Sequence, residues 1–222
     1  MTRLALFDLD HTLLSGDSDV LWCEFLMDKG LLDRAEFEPR NAEMARRYAA
    51  ASVSAEQFCE FYAGTLAGRT PAEWAPWCER FLAEVIVLRI PASARALVDA
   101  HRARGDRVVL TTATNRVLTE PTARHLGIAD LLATEVGLDG ERCSGRTAGV
   151  LNMRAGKVTR LHAWLAAQGL PAGLVGEAVF YSDSRNDLPL LEAVAEPVAV
   201  DPDPWLRRHA AVKGWRVLEL AR

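Results

Sequence analysis

Short unbroken apolar runs alternate with stretches of helical period along most of this chain. Residues 3–7 carry Leu4, Ala5, Leu6 and Phe7 in a row, too short for a helix and apolar on both sides, as in a strand buried on both faces. Residues 107–114 repeat the pattern with β-branched side chains, and residues 178–183 and 196–203 repeat it again. Residues 216–220 predict a fifth strand. Between the strands the period lengthens. Residues 91–105 predict a helix with Pro91 at its first position and Gly105 at its end. Residues 115–127 predict another, kinked or broken at Pro121. Residues 156–169 and a segment from Asn186 predict two more. Strands alternating with helices imply a parallel sheet covered on both faces, a Rossmann-like α/β fold.

Residues 17–90 break the alternation. They hold helix patterns and no convincing strand. Ser54–Gln57 and Thr70–Glu73 fit capping boxes, the second with Pro71 at the first helical position. Trp22, Phe25, Phe58, Phe61, Tyr62, Trp74, Trp77 and Phe81 supply a large apolar surface, read as core packing. The division expected is an α/β core from residues 1–16 plus 91–222 and a helical subdomain at 17–90. Asp139-Gly140, between two β-like segments, predicts a hairpin or paired strands.

Composition narrows the classes of function. The 222 residues carry a formal charge of −4, without the basic surface that nucleic acid demands. No apolar stretch is long enough to span a bilayer, and the run before Asp8 is too brief for a secretory signal. Cys23, Cys59, Cys78 and Cys143 are widely spaced, with no metal-binding pair, which suits free thiols in a reducing, cytoplasmic setting. The pattern says nothing of oligomeric state.

The candidate chemistry lies at strand ends. Asp8 and Asp10 close the first strand, Asp183 closes the strand at 178–183, and Asp187 follows four residues later. Ligands of open α/β sheets bind at the carboxyl ends of the strands. Carboxylates gathered there repel one another, and a hard divalent cation removes the conflict. Mg²⁺ takes one or two carboxylates and keeps room for waters and a phosphate. Thr111, Thr112 and Thr114 end the second strand with hydroxyls before a helix, a setting suited to an anion. Lys157 and Asn186 add an ammonium and an amide.

In order and spacing these residues resemble the haloacid-dehalogenase-type phosphohydrolase superfamily. "FDLDHTL" is similar to its first motif, "VVLTTAT" to the second with Thr112 matched, Lys157 to the third, and "YSDSRNDLPLL" to the fourth. The helical insert after the first motif resembles the cap of the phosphoserine-phosphatase-like branch, as does the tail "VDPDPWLRRHAAVKGW". Ser182 stands where the fourth motif often has Gly, and Thr112 where the second often has Ser.

The resemblance implies a Mg²⁺-dependent phosphomonoester hydrolase acting on a small phosphorylated metabolite. Asp8 is then the nucleophile and Asp10 the acid and base. Asp8, the Asp10 carbonyl and Asp183 hold the metal, with Asp187 in support. Thr112, Lys157 and Asn186 hold the phosphate, Thr12 supports the loop, and Arg116 reaches toward the phosphate or the cap. Asp17 either reads a substrate amine or caps the next helix. Arg40, Arg46 and Arg47 either meet a substrate carboxylate or form a solvated face. Phosphoserine, histidinol phosphate and other small amino-alcohol phosphates all remain open as substrates. So do a phosphotransferase or mutase with the same chemistry and, in another class, a signalling phosphoacceptor.

Overall fold

The computed structural model describes residues 3–50 and 52–221. The outermost residues of the expected core segments, 1–2 and 222, and residue 51 of the expected helical insert lie outside the described residues. Seven strands form one sheet in the order β4-β3-β2-β1-β5-β6-β7. They are β1 (Leu4–Phe7), β2 (Arg107–Asn115), β3 (Asp130–Asp139), β4 (Arg142–Ala148), β5 (Val179–Ser182), β6 (Glu196–Val200) and β7 (Arg216–Leu218). Every pairing is parallel except that of β3 with β4.

The strand β1 lies at the centre, and its unbroken apolar run follows from that place. Alternate residues of a strand face opposite sides. Ala5 and Phe7 enter one hydrophobic layer, and Leu4 and Leu6 the other. Both layers are covered, so no position on this strand can be polar until it leaves the sheet. It leaves at Asp8.

The helices are α1 (Ser18–Asp28), α2 (Arg34–Ala49), α3 (Ala55–Ala63), α4 (Pro71–Phe81), α5 (Ala92–Ala103), α6 (Arg116–His125), α7 (Ala155–Ala167), α8 (Leu188–Leu191) and α9 (Pro204–Lys213). The first four fall between β1 and α5. Ser54 and Thr70 make their capping boxes with Gln57 and Glu73. Trp22, Phe25, Trp74 and Phe81 join the same buried layer as Ala5, Phe7 and Leu110. Trp22 crosses Trp74 and Phe81 edge-on, with ring centroids 5.6 and 5.2 Å away. Both indoles are satisfied: Trp22 Nε1 donates to Thr65 Oγ1 and Trp74 Nε1 to the Leu66 carbonyl.

Four expectations shift. Pro91 stands just outside α5, at its cap. Pro121 does not break its helix: α6 runs on from Arg116 to His125, started by the Asn115 side chain, which accepts from the Leu118 amide. A proline costs that helix one backbone donor, and burial of Pro121 in the helix's packed face offsets the loss. The hairpin at Asp139-Gly140 forms, with Gly140 at φ 62°, but β3 begins earlier, at Asp130, and pairs with β2 before it turns to β4. The helix expected from Asn186 is reduced to a tight turn at Arg185–Asp187 and the short α8.

Candidate active site

Strands β2, β1 and β5 are neighbours, so their carboxyl ends bring three distant segments to one rim. A small closed cavity of about 40 Å³ opens there, lined among others by Asp8, Asp10, Asp17, Asp183 and Asp187. Tyr48, Phe58 and Met153 give it an apolar part, and Thr114, Lys157 and Asn186 also line it. A second, wider cleft of about 490 Å³ adjoins it, sharing His11, Tyr48, Asp183, Ser184 and Asn186 and extending past Trp205 and Arg208.

Asp8 and Lys157 form the centre. Lys157, 2 % exposed, places Nζ 2.7 Å from Asp8 Oδ1 and 2.7 Å from Asp187 Oδ2. Ser182 donates to the same Asp187 oxygen at 2.7 Å, so the residue that departs from the usual Gly adds a hydroxyl to this pair. Burial works against the ammonium, but Asp187 and Asp8 outweigh it and hold the Lys157 pKa above its usual value. Burial raises Asp8 to about 7 against the pull of Lys157, with the charges of Asp187 and Asp10 adding to the rise. Asp183 is raised well above the ordinary carboxyl value by burial and then by Asp8 and Asp187.

Lys157 is placed by an unusual backbone. Gly156, at the start of α7, packs so closely on the Leu151 carbonyl that a Cβ there would overlap it. Two residues earlier, Arg154 holds φ 53° and ψ −130°, a region glycine enters freely and other residues rarely.

Asp10 faces a different set of partners. Its Oδ1 accepts from the Ser18 amide at 2.6 Å, and its Oδ2 meets the hydroxyls of Thr114 at 2.9 Å and Thr112 at 3.3 Å. Thr12 bridges the rim instead: its hydroxyl lies 3.2 Å from both Asp8 Oδ2 and Asp183 Oδ1 and accepts from the Asp183 amide. Asp17 caps α1, its Oδ1 accepting from the amides of Asp19 and Val20, and it also lines the cavity. The two readings of Asp17 are therefore compatible. Burial, then the charge of Asp10, raises its carboxyl to about 7.

Two of the expected residues, Arg116 and Thr112, do not line the cavity. Arg116 stands on the side of the insert, lining a separate pocket with Pro71, Ala75 and Glu79 of α4. As the first residue of α6 it points along β3, where it donates to Glu135 at 3.0–3.1 Å and to the Leu131 carbonyl. Thr112 is wholly buried with its hydroxyl turned on Asp10, and Thr114, two residues on along the same face, lines the cavity in its place. Of the residues expected at the metal, the Asp10 side chain is engaged by Thr112, Thr114 and the Ser18 amide, and the supporting Asp187 by Lys157 and Ser182. Arg40 and Arg46 pair with Glu36 and Glu43 on the outer face of α2, the solvated alternative.

Among the described residues, no three His, Cys, Asp or Glu side chains gather closely enough to enclose a metal ion by themselves. A hard cation that uses two carboxylates and completes its shell with carbonyl and water fits what is present. Asp8 is buried and Asp183 half-buried, the two share Thr12, and both are raised by burial and by neighbouring carboxylates, Asp187 acting on each, as a site that lacks positive charge would be. Tyr48, Ser18, Arg154 and the bond that Ser182 makes to Asp187 escaped the sequence reading. Only Ser182, which adjoins a motif, carried a signal that could have found it.

Comparison with known proteins agrees with this geometry. A histidinol-phosphatase of Neisseria meningitidis is 41 % identical over 220 residues, covering 98 % of this chain and 99 % of that one. A crystal structure of a protein of unknown function from Bordetella pertussis superposes with a TM-score of 0.93 at 45 % identity, over 100 % of both chains. A phosphoserine phosphatase captured as an analogue of its phospho-aspartyl intermediate shares the fold, with a TM-score of 0.71 at 15 % identity over 100 % of this chain and 94 % of that one. Residues 5–192, which carry every carboxylate of the cavity, match the haloacid dehalogenase-like hydrolase family, and the chain belongs to that family.

Proposed function

We propose that this hydrolase is a phosphatase that cleaves small phosphoric monoesters through a phosphoaspartate on Asp8. The observation that carries the reading is the contact of Asp8 with Lys157 inside a closed, carboxylate-lined cavity at the sheet rim. An Asp8 oxygen attacks phosphorus in line, and the phosphorus–oxygen bond to the alcohol breaks as the new bond forms. Asp10, held by Thr112, Thr114 and the Ser18 amide, gives its proton to the departing alkoxide. It then takes a proton from the water that cleaves the acyl phosphate, releasing inorganic phosphate and free Asp8. Lys157 and Asn186 hold the outer phosphate oxygens, where negative charge is spread. Asp8, the Asp10 carbonyl and Asp183 would hold Mg²⁺, with Asp187 behind them. When bound, that ion supplies the positive charge that lets an ionised Asp8 and a phosphate dianion approach.

The helices α1–α4 act as a cap that shuts water out of the cavity. The cavity has room for a phosphoryl group and little more, so the alcohol extends into the adjoining cleft past Tyr48. Asp17 suits an ammonium on the leaving alcohol. Histidinol phosphate, named by the Neisseria relative, carries both an ammonium and a planar ring that the Tyr48 and Trp205 walls can cover. The test is a release assay for inorganic phosphate with Mg²⁺, comparing histidinol phosphate, phosphoserine and para-nitrophenyl phosphate. Histidinol phosphate turns over with the highest kcat/KM, EDTA abolishes turnover, and Asp8→Asn does the same. Full turnover by chelated protein would end the reading.

A further inference from the structure

Two arginines, Arg154 outside the motifs and Arg185 within the fourth, reach from the sheet side to the inserted chain at the end of α2 and just before α3. Arg185 donates to the Ala49 carbonyl at 3.2 Å, and Arg154 donates through Nη2 to the Val53 carbonyl at 3.3 Å. Arg154 has a second contact that Arg185 lacks: its Nε donates to Asn186 Oδ1 at 3.3 Å. A guanidinium only donates, so the amide atom facing it must be the oxygen. The amide is planar, and its NH₂ therefore turns to the other side, on a residue that lines the cavity.

We infer that Arg154 is a positioning residue that fixes the Asn186 amide with its NH₂ toward the phosphate, and does so when the inserted helices are closed. The inference rests on the phosphatase reading for the identity of the anion. The geometry has the features such a device needs. Unrestrained, a cavity-lining amide presents oxygen or nitrogen toward the ligand, and the oxygen would repel a phosphate. One guanidinium spans both the amide and the Val53 carbonyl, so the orientation is coupled to the contact across the two parts. Arg154 does this from a backbone conformation unfavourable to any residue but glycine, and such strain persists where surrounding contacts over-determine it.

The experiment is a calorimetric titration of the Mg²⁺-loaded protein with inorganic phosphate, run beside KM and kcat for a phosphomonoester. Asn186→Ala is expected to weaken phosphate about tenfold, the loss of a hydrogen bond to a charged group. Arg154→Ala is expected to weaken it by a similar factor, and the double variant to be no weaker than Asn186→Ala alone. Arg185→Ala, which loses a contact to the insert but none to Asn186, combines with Asn186→Ala multiplicatively. Arg154→Gly guards against a folding artefact: it relieves the positive φ, so its melting temperature holds or rises while phosphate binding still weakens. Multiplicative losses for Arg154→Ala with Asn186→Ala, or phosphate binding that Arg154→Gly leaves intact, overturn the inference. So does a wild type that binds no phosphate. A wild type that binds phosphate with the Arg154–Asn186 coupling, yet hydrolyses no monoester, sinks the phosphatase reading and leaves this one standing.

Discussion

The rim of the sheet and the aromatic cluster beneath the inserted helices are both buried, and they are built on opposite principles. The cluster of Trp22, Phe25, Trp74 and Phe81 is held by area: rings meet stacked, edge-on or tilted, and the two indole N–H groups are its only polar side-chain atoms, each with a partner. The rim is held by charge at fixed separation. Asp8, Lys157 and Asp187 form a chain of 2.7 Å contacts in which the one ammonium serves both carboxylates, so its loss leaves each without a counter-charge. An apolar surface tolerates repacking, whereas a buried charge does not tolerate the loss of its partner. The same degree of burial therefore supports stability in one place and chemistry in the other.

Substitutions should separate the two regions most sharply where the rim meets the reaction. Asp8→Asn changes one atom and keeps the shape, and turnover should fall by roughly 10⁴-fold or more, as for other lost nucleophiles. Its circular dichroism and melting curve should stay close to the wild type, because the amide keeps the volume and relieves a crowded charge. A variant that loses activity together with its fold would place Asp8 among the structural residues instead.

Lys157→Met is the strongest test of stability at the rim. It removes the ammonium and leaves Asp8 and Asp187 facing each other, at an expected cost of about 3–5 kcal/mol in urea melts with EDTA present. Mg²⁺ should return part of that, since a cation bound only by the folded rim shifts the unfolding equilibrium. In the aromatic cluster, Phe81→Ala should cost a similar ~3–5 kcal/mol, but Phe81→Leu less than about 1.5 kcal/mol. The contrast lies in the conservative change: shape is negotiable in the cluster, and no apolar replacement of Lys157 is mild. Because Phe81 shares its layer with Ala5 and Phe7, the Phe81→Ala loss should appear in a single unfolding transition.

The two regions also differed in how well they could be read in advance. Asp8, Asp183 and the run at 3–7 were legible because a strand buried on both faces can carry charge only where it ends, and strand ends in such sheets are where ligands bind. The capping boxes at Ser54 and Thr70 were legible because their partners lie three residues away. The surroundings of Thr112 and Arg116 were illegible for the opposite reason. Each sits at the junction of β2 and α6, and the direction of its side chain depends on Asp10 and Glu135, which lie far away in sequence. Tyr48 and Arg154 carried no local signal, since their roles exist only once the insert packs against the rim. Pro121 was read by a local rule that the packing of α6 overrode.

Gly156→Ala tests the backbone of the rim. A methyl group there overlaps the Leu151 carbonyl, so α7 must shift, and the expected cost is about 1–3 kcal/mol. The shift carries Lys157 with it, so kcat should fall more than the stability loss alone accounts for. The same exchange at Gly173, which has nothing within 4 Å of the added carbon, should be silent in both assays. Equal effects at the two glycines would mean that the close approach at Leu151 is not what fixes Lys157.

The smallest expected effect lies where the two regions meet, at the far face of β1. His101 on α5 is buried with Nδ1 2.7 Å from Asp106 Oδ2 and Nε2 2.8 Å from the Tyr181 hydroxyl, and its ring packs edge-on against Phe7. Burial lowers its pKa below the usual 6.5, although the bond to Asp106 pulls the other way. The folded protein thus resists a proton that the unfolded chain accepts. The His101 contribution to stability is complete above about pH 6.5, declines as the pH falls from there through the lower folded value, and then levels, against a rim whose raised carboxylates run the other way. His101→Gln keeps a donor and an acceptor, should cost about 1 kcal/mol at pH 8, and should flatten the decline between pH 6.5 and 5. Urea melts across that range decide it. The rim carboxylates, raised by burial, gain stability as the pH falls and so cannot produce such a decline, and an unchanged pH dependence in the variant would mean that His101 contributes packing alone.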